Sequence, residues 1–266
     1  MLDKRISMAA AVQLVPSGCT LAMGGMTIYR RPMAFARALV QYARQTNTPN
    51  NLTLLSFTAG PESDLLVGAG IVSRVRTCYF GLEIFGLAPM FTYRANRGEI
   101  QIIEETEASL VLGLRAHLAR IGFMPGRAWL GTDLPRLRPD VLTITDPYTG
   151  EQLMAFPAIK PDVAVIHALR ADVEGNAQIG LNKALDEELS AAAETVIITA
   201  EEIVPQLDRA EIVAPFVKAV VHAPRGATPT SCHPNYSIDG ENLLAYVEQV
   251  SDPASFGTFV AGFSDL

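Results

Sequence analysis

Residues 161–168 read PDVAVIHA, and from Val163 to Ile166 no polar side chain falls at either parity. A strand with one wet face alternates apolar and polar residues. A strand apolar at every position has to be covered on both faces, which is the condition of a parallel sheet between two helix layers. TVIITA (195–200) repeats the pattern, and FVKAVVHAP (216–224) reads as a third such strand. Earlier strands are expected at 19–24 and in NLTLLSF (51–57), SRVRTCYFG and GEIQII. Helical stretches separate them: residues 4–15 with Asp3 as N-cap, Pro32 to about Gln45, and PESDLLVGAGIV closed by Gly70. In EETEASLVLGLRAHLARIG, Leu110, Leu114 and Leu118 share one face and three acids (Glu104, Glu105, Glu107) open the helix. ENLLAYVEQV makes a short late helix, and the last ten residues read as loosely held. Residues 124–160, rich in Pro, Gly and Thr, read as a long surface excursion with short strand-like pieces. The alternation predicts an α/β fold, an open and largely parallel sheet with helices on both faces, in a single domain over 1–266 because no flexible linker interrupts it.

With 49% hydrophobic residues the chain can fill a sizeable core, and a net charge of -7 argues against nucleic acid as a partner. No apolar run approaches the roughly 18 residues of a membrane span. The basic and apolar N-terminus is interrupted by Asp3 and Gln13, so it reads as an amphipathic helix rather than a signal peptide. Cys19, Cys78 and Cys232 are odd in number and widely spaced, as reduced cytoplasmic thiols would be, with no zinc-cage or disulfide spacing.

Ligands of such sheets bind beyond the carboxyl ends of the strands. That rim is expected to carry Gly24-Gly25, the loop after Phe57, Gly81 to Glu83, Glu104 and the loop after His167. Gly24 and Gly25 lack a Cβ, so main-chain N–H groups there can approach a carbonyl oxygen or a phosphate; an ordinary strand-to-helix turn needs the same glycines. His167 at its strand end reads as a structural residue bonded to backbone, with Asp172 and Asn176 fixing the next loop. Tyr236 reads as a packing anchor near the Asp239-Gly240 turn. His117, His222 and His233 have no partners at metal-ligand spacing, and neither a serine elbow nor a complete phosphate loop occurs.

The stretch SGCTLAMGGMTIYRRP (Ser17–Pro32) is similar to a motif of class I CoA-transferases: Asp or Asn, Gly or Asn, two variable residues, three apolar residues, Gly-Gly-Phe, three variable residues, Gly, one variable residue, Pro. Every position falls at the right spacing, with Ser17, Met26 and Arg30 departing from the pattern. FTAGPESDLLVGAGIV, IEETEASLVLGLRAHLARIGFMPGR, PDVAVIHALRADVEGNAQIG and GATPTSCHPNYSIDG resemble the A (alpha) subunits of the glutaconate CoA-transferase type. The resemblance implies the fold shared by CoA-transferases and several sugar-phosphate isomerases. It also implies an acyl-CoA thioester as substrate, a carboxylic acid as acceptor, no permanently bound cofactor, and a separate B (beta) subunit in a heterodimer or larger heteromer. Gly24, Gly25 and Met26 would then shape the loop at the thioester, with Arg30 and Arg31 either on a CoA phosphate or solvated in the first helical turn.

In this family the nucleophilic glutamate sits in a Ser-Glu-Asn-Gly or Glu-Glu-Asn-Gly motif of the B subunit. Neither occurs here, and Glu241 of GENLL reads as a helix N-terminal acid, so the partner is expected to supply the nucleophile. A second resemblance, to an actinobacterial steroid-ring hydrolase on the same two-subunit fold, implies an alpha-subunit carboxylate, Glu104 rather than Glu105, that opens a C–C bond in a cyclic β-keto acyl-CoA. Against a catalytic Glu104 stands the helix-capping value of such acids, worth roughly 0.3–1 kcal/mol. The ligand-sensing domains of some repressors share this fold, but the chain carries no helix-turn-helix or basic arm. An apolar patch for the B subunit is expected on the surface.

Overall fold

A computed structural model describes residues 2–263. Its strands are β1 (Thr20–Met23), β2 (Leu52–Ala59), β3 (Val72–Phe80), β4 (Gln101–Glu104), β5 (Phe123–Gly126), β6 (Leu142–Thr145), β7 (Gln152–Pro157), β8 (Val163–Asp172), β9 (Ala177–Gln178), β10 (Thr195–Val204) and β11 (Val217–His222). Its helices are α1 (Met8–Val12), α2 (Met33–Thr46), α3 (Pro61–Gly68), α4 (Pro89–Asn96), α5 (Glu107–Leu118), α6 (Leu134–Leu137), α7 (Asp186–Ala192), α8 (Gly240–Gln249) and α9 (Pro253–Ala261). None of the described helices is long and apolar enough to cross a membrane.

The main sheet runs β11-β10-β8-β1-β2-β3-β4, parallel at every step, with β9 folding back antiparallel on β8. Its apolar strands bury both parities. Leu21, Met23, Val163, Val165 and Ile197 join a core with Phe35 and Leu39 of α2, Leu66 of α3 and Phe256 of α9. Ala22, Leu55, Ala164, Ile166 and Ile198 face the other way, onto Leu110 and Leu114 of α5 and Leu189 of α7. Each fully buried leucine or isoleucine contributes about 1.5–3 kcal/mol, so two filled layers hold the sheet between them. The α/β sandwich expected from the apolar runs is the architecture found.

Four local expectations change. The N-terminal helix starts at Met8 on a Ser7 cap, not at residue 4, because the chain before it lies extended along β11: Ile6 N–H donates to Val220 O and Val220 N–H to Lys4 O, both at 2.9 Å. Residues 124–160 hold a three-stranded antiparallel sheet, β5-β7-β6, with its own small core of Trp129, Val141, Met154 and Phe156. The helix expected from Glu104 begins only at Glu107, since Thr106 and Ser109 form a reciprocal capping box. Glu104 therefore ends a strand, and Leu118 is exposed. Last, residues 253–261 form α9 on an Asp252 cap; Ser264 to Leu266 lie outside the described residues.

The parallel register lines up Glu104, Thr77, Ser56, Met23 and Val165 across five strands. At about 4.8 Å per strand, Glu104 and Met23 stand about 14 Å apart on one carboxyl rim. The small sheet is tied to that rim: Trp129 Nε1–H donates to Thr106 Oγ1 at 3.0 Å, and Arg138 Nη1–H to the Glu104 carbonyl at 2.8 Å. Phe156 lies edge-on to Trp129, ring centroids 5.2 Å apart. Phe156→Ala is expected to destabilise the fold by roughly 3–5 kcal/mol in urea denaturation, the usual cost of emptying an aromatic core site; a loss below about 1 kcal/mol would show that the small sheet does not depend on this cluster.

Candidate active site at the carboxyl rim

β1 and β8 are neighbours whose connections leave in opposite directions, the place where an open α/β sheet usually forms its ligand crevice. Here the turn after β1 fills it. Gly24 N–H donates to Val165 O at 2.9 Å, and Gly25 N–H to the Asp186 carboxylate at 3.0 and 3.2 Å. Met26 N–H donates to Tyr29 O, and Thr27 N–H to Thr58 Oγ1, each at 3.0 Å. The expectation that Gly24 and Gly25 offer free amides to a thioester is therefore corrected: their donors point inward and are satisfied. The glycines make room for the protein instead. A Cβ on Gly24 would stand 2.8 Å from Asp186 Oδ1 and 2.9 Å from Ile166 Cγ1.

Arg30 and Arg31 are fully buried, neither solvated nor turned toward a phosphate site. Arg30 pairs with Asp186 (Nη2–Oδ2 2.5 Å) and donates to the carbonyls of His167 (2.5 Å) and Asn182 (3.1 Å). Arg31 pairs with Glu62 and donates to Ser56 Oγ (3.0 Å) and Thr58 O (3.1 Å). An unpaired cation inside a protein is prohibitively costly, so each guanidinium takes a carboxylate with it. Arg30 stands where the motif has its third glycine, and its φ of +52° is the left-handed conformation that glycine adopts without strain. Met26, in place of the motif's phenylalanine, is partly exposed, as are Ile28 and Tyr29.

At the other end of the rim the two candidate acids separate. Glu105 is buried and accepts from Arg138 Nη1 (2.7 Å) and Ser109 Oγ (2.5 Å), with Arg76 Nε at 3.4 Å. The half-buried Glu104 carboxylate has no hydrogen bond or ion pair among the described residues. Glu105, the first residue past β4, meets the Arg76 and Arg138 guanidinium groups, whereas the Glu104 carboxylate pairs with neither.

A third cluster is not evident from the residues alone. His167 is fully buried, with Nδ1 2.8 Å from Thr199 Oγ1 and Nε2 2.8 Å from Glu201 Oε1, so side chains rather than backbone satisfy it. Tyr236 O–H donates to the same Glu201 oxygen, and Arg225 N–H to the other at 2.6 Å. With Cys232 the ligating atoms of His167 and Glu201 lie within 4.8 Å of one another. A closed zinc site takes four ligands, whereas three ligating groups converge here among the described residues and both Glu201 oxygens already accept protein donors. The cluster fits a closed hydrogen-bond network. The β8–β10 register, which sets Thr199 beside His167, is the signal that locates it once the two strands are known to be neighbours. Asp172 behaves as expected, accepting from the main-chain N–H groups of Glu174, Gly175 and Asn176.

The packing of the turn and the burial of His167 each have a measurable consequence. Gly24→Ala should lower the melting temperature, because the methyl group displaces Asp186 from Gly25 and Arg30; an unchanged melting curve would contradict the packing. Burial holds the His167 pKa below its ordinary 6.5, outweighing the Glu201 hydrogen bond that raises it. The unfolded chain then takes up that proton first as pH falls, so acid favours unfolding and stability drops below about pH 6.5. His167→Gln should flatten that part of the stability–pH curve; an identical slope in the variant would contradict a buried neutral imidazole.

The family model for Coenzyme A transferase matches residues 5–223. The IpdA subunit of a cholesterol ring-cleaving hydrolase from Rhodococcus jostii is 34% identical, covering 98% of this chain and 92% of that protein. A crystal structure of the decarboxylase AibA/AibB (C56S variant) superposes with a TM-score of 0.87 at 30% identity, over 98% of this chain and 100% of that one. Glutaconate coenzyme A-transferase from Acidaminococcus fermentans superposes with a TM-score of 0.88 at 26% identity, over 97% and 87%. The fold, the motif turn and these matches agree: the chain is a member of the coenzyme A transferase family, of the alpha-subunit type.

Proposed function

We propose that this chain is the alpha subunit of a heteromeric enzyme that hydrolyses a C–C bond in a cyclic β-keto acyl-CoA of the kind met in steroid-ring breakdown, with Glu104 as its acid–base carboxylate. The observation that carries the reading is the unpartnered Glu104 carboxylate at the rim, beside a Glu105 fully engaged in structure. Acid–base work needs a carboxylate free to exchange a proton with substrate or water. The similarity to a ring-cleaving hydrolase subunit over nearly the whole chain supports the same reading.

In this scheme Glu104 takes a proton from water, and the hydroxide adds to the ring ketone. The bond between that carbon and the α-carbon of the thioester breaks, leaving a carboxylic acid on one side. Its electron pair passes into the thioester enolate, and Glu104 returns the proton to the α-carbon. One water is consumed and one ring is opened. The thioester oxygen needs donors while it carries charge. Because the Gly24 and Gly25 amides are engaged internally, those donors are assigned to the beta subunit or to rim groups that it orders. Tyr79, Ile84, Leu87 and Ile102, exposed on β3, β4 and the connection between them, form the apolar surface assigned to that subunit.

A second reading, CoA transfer between an acyl-CoA and a carboxylate through a glutamate of the beta subunit, is favoured by the likeness to glutaconate coenzyme A-transferase. A Glu-Asn-Gly motif in the partner, and a glutamyl-CoA adduct trapped by hydroxylamine, belong to transfer alone. For hydrolysis, Glu104→Gln in the coexpressed heteromer is expected to reduce ring opening by about 10²–10⁴-fold, the usual share of a general acid–base group, with assembly unchanged by gel filtration. Turnover within about twofold of wild type would remove Glu104 from the mechanism.

A further inference from the structure

Arg37 on α2 differs from its neighbours Arg30 and Arg31. It has no carboxylate partner among the described residues, and it lines a cleft of about 350 Å³. Its Nη2–H donates to Thr228 O at 2.9 Å, and its guanidinium lies 5.6 Å from the Phe263 ring centroid. Its Nε is buried without a hydrogen-bond partner, and so is Thr228 Oγ1 in the same cleft wall. Burial depresses the Arg37 pKa, and no acid pairs with it among the described residues. The remaining wall is largely apolar, with Met33 and Leu65 on one side and Leu243 and Phe259 on the other.

A half-buried guanidinium with an idle N–H, an idle hydroxyl beside it and an apolar chamber beyond make a complementary set. The charge calls for an anion, the planar fork suits a carboxylate, and the walls suit a hydrocarbon body. Phosphate or sulfate would leave the apolar walls unused, and a neutral hydrocarbon would leave the cation unsatisfied. We propose that this cleft, between α2, α3 and the α8–α9 pair, is a binding site for a small carboxylic acid with an apolar body, held by Arg37 and Thr228. None of its lining residues is the rim acid Glu104, so the site stands apart from the proposed reaction centre.

Isothermal titration calorimetry of the full chain with 4-phenylbutyrate, and with the uncharged 4-phenylbutyramide, tests the assignment. The carboxylate is expected to bind at least about tenfold more tightly than the amide. Arg37→Met should remove that preference, weakening the carboxylate by at least about tenfold more than the amide. Asn242→Asp, an exposed change that sets a competing negative charge at the cleft, should weaken the carboxylate selectively and serves where Arg37→Met fails to fold. Glu104→Gln should bind both probes normally, which separates this site from the catalytic reading. No heat of binding at millimolar carboxylate, equal affinity for acid and amide, or an unaltered preference in the charge variants would overturn the proposal.

Discussion

The buried pair of Arg30 and Asp186 is the interaction on which the rest of the rim depends. Asp186 at the start of α7 accepts at once from the Arg30 guanidinium and from Gly25 N–H, so the turn after β1 is bolted to a helix 161 positions away. Arg31 does the same toward α3 through Glu62. Two adjacent cations with no solvent contact are tolerable only because both carboxylates are buried with them. The crevice that a doubly wound sheet usually offers to a ligand is thus occupied by the protein's own side chains. The proposed function places its chemistry further along the rim, at the edge where β4 presents Glu104.

That displacement bears on how one fold serves several reactions. The relatives at comparable similarity are named as a ring-cleaving hydrolase subunit, a decarboxylase and coenzyme A-transferases. A shared sheet and a shared turn do not choose among these; the placement of reactive groups does. In this chain the motif turn behaves as structural reinforcement.

Much of the architecture was legible in the residues. Runs such as PDVAVIHA announce strands covered on both faces, and those strands lie in the sheet as expected. The misreadings have physical sources. Residues 4–6 carry a helix-compatible pattern but gain more by pairing with β11. The strand-like pieces of the Pro- and Gly-rich stretch were visible, but not their pairing into a sheet, because its core is only four residues drawn from separate parts of the segment. The spacing from Ser17 to Pro32 located the turn but not the direction of its amides, since their acceptor Asp186 is remote in sequence. His167 reads as a strand-end histidine, but β8 runs on to Asp172 and places it inside the strand, where Glu201 and Cys232 reach it only through tertiary structure. Glu104 and Glu105 are neighbours with opposite fates, decided by where Arg138 folds back from the small sheet.

A double-mutant cycle across Arg30 and Asp186 tests most directly whether this pair holds the rim. Unfolding free energies would be measured for Arg30→Met, Asp186→Leu and the double variant. Each single change is expected to cost about 3–5 kcal/mol, since it strands a buried charge, and the double variant should recover a large part of that loss. Additive single losses would contradict the account, because they would mean that the turn is held by packing alone and that the ion pair does not bind it to α7.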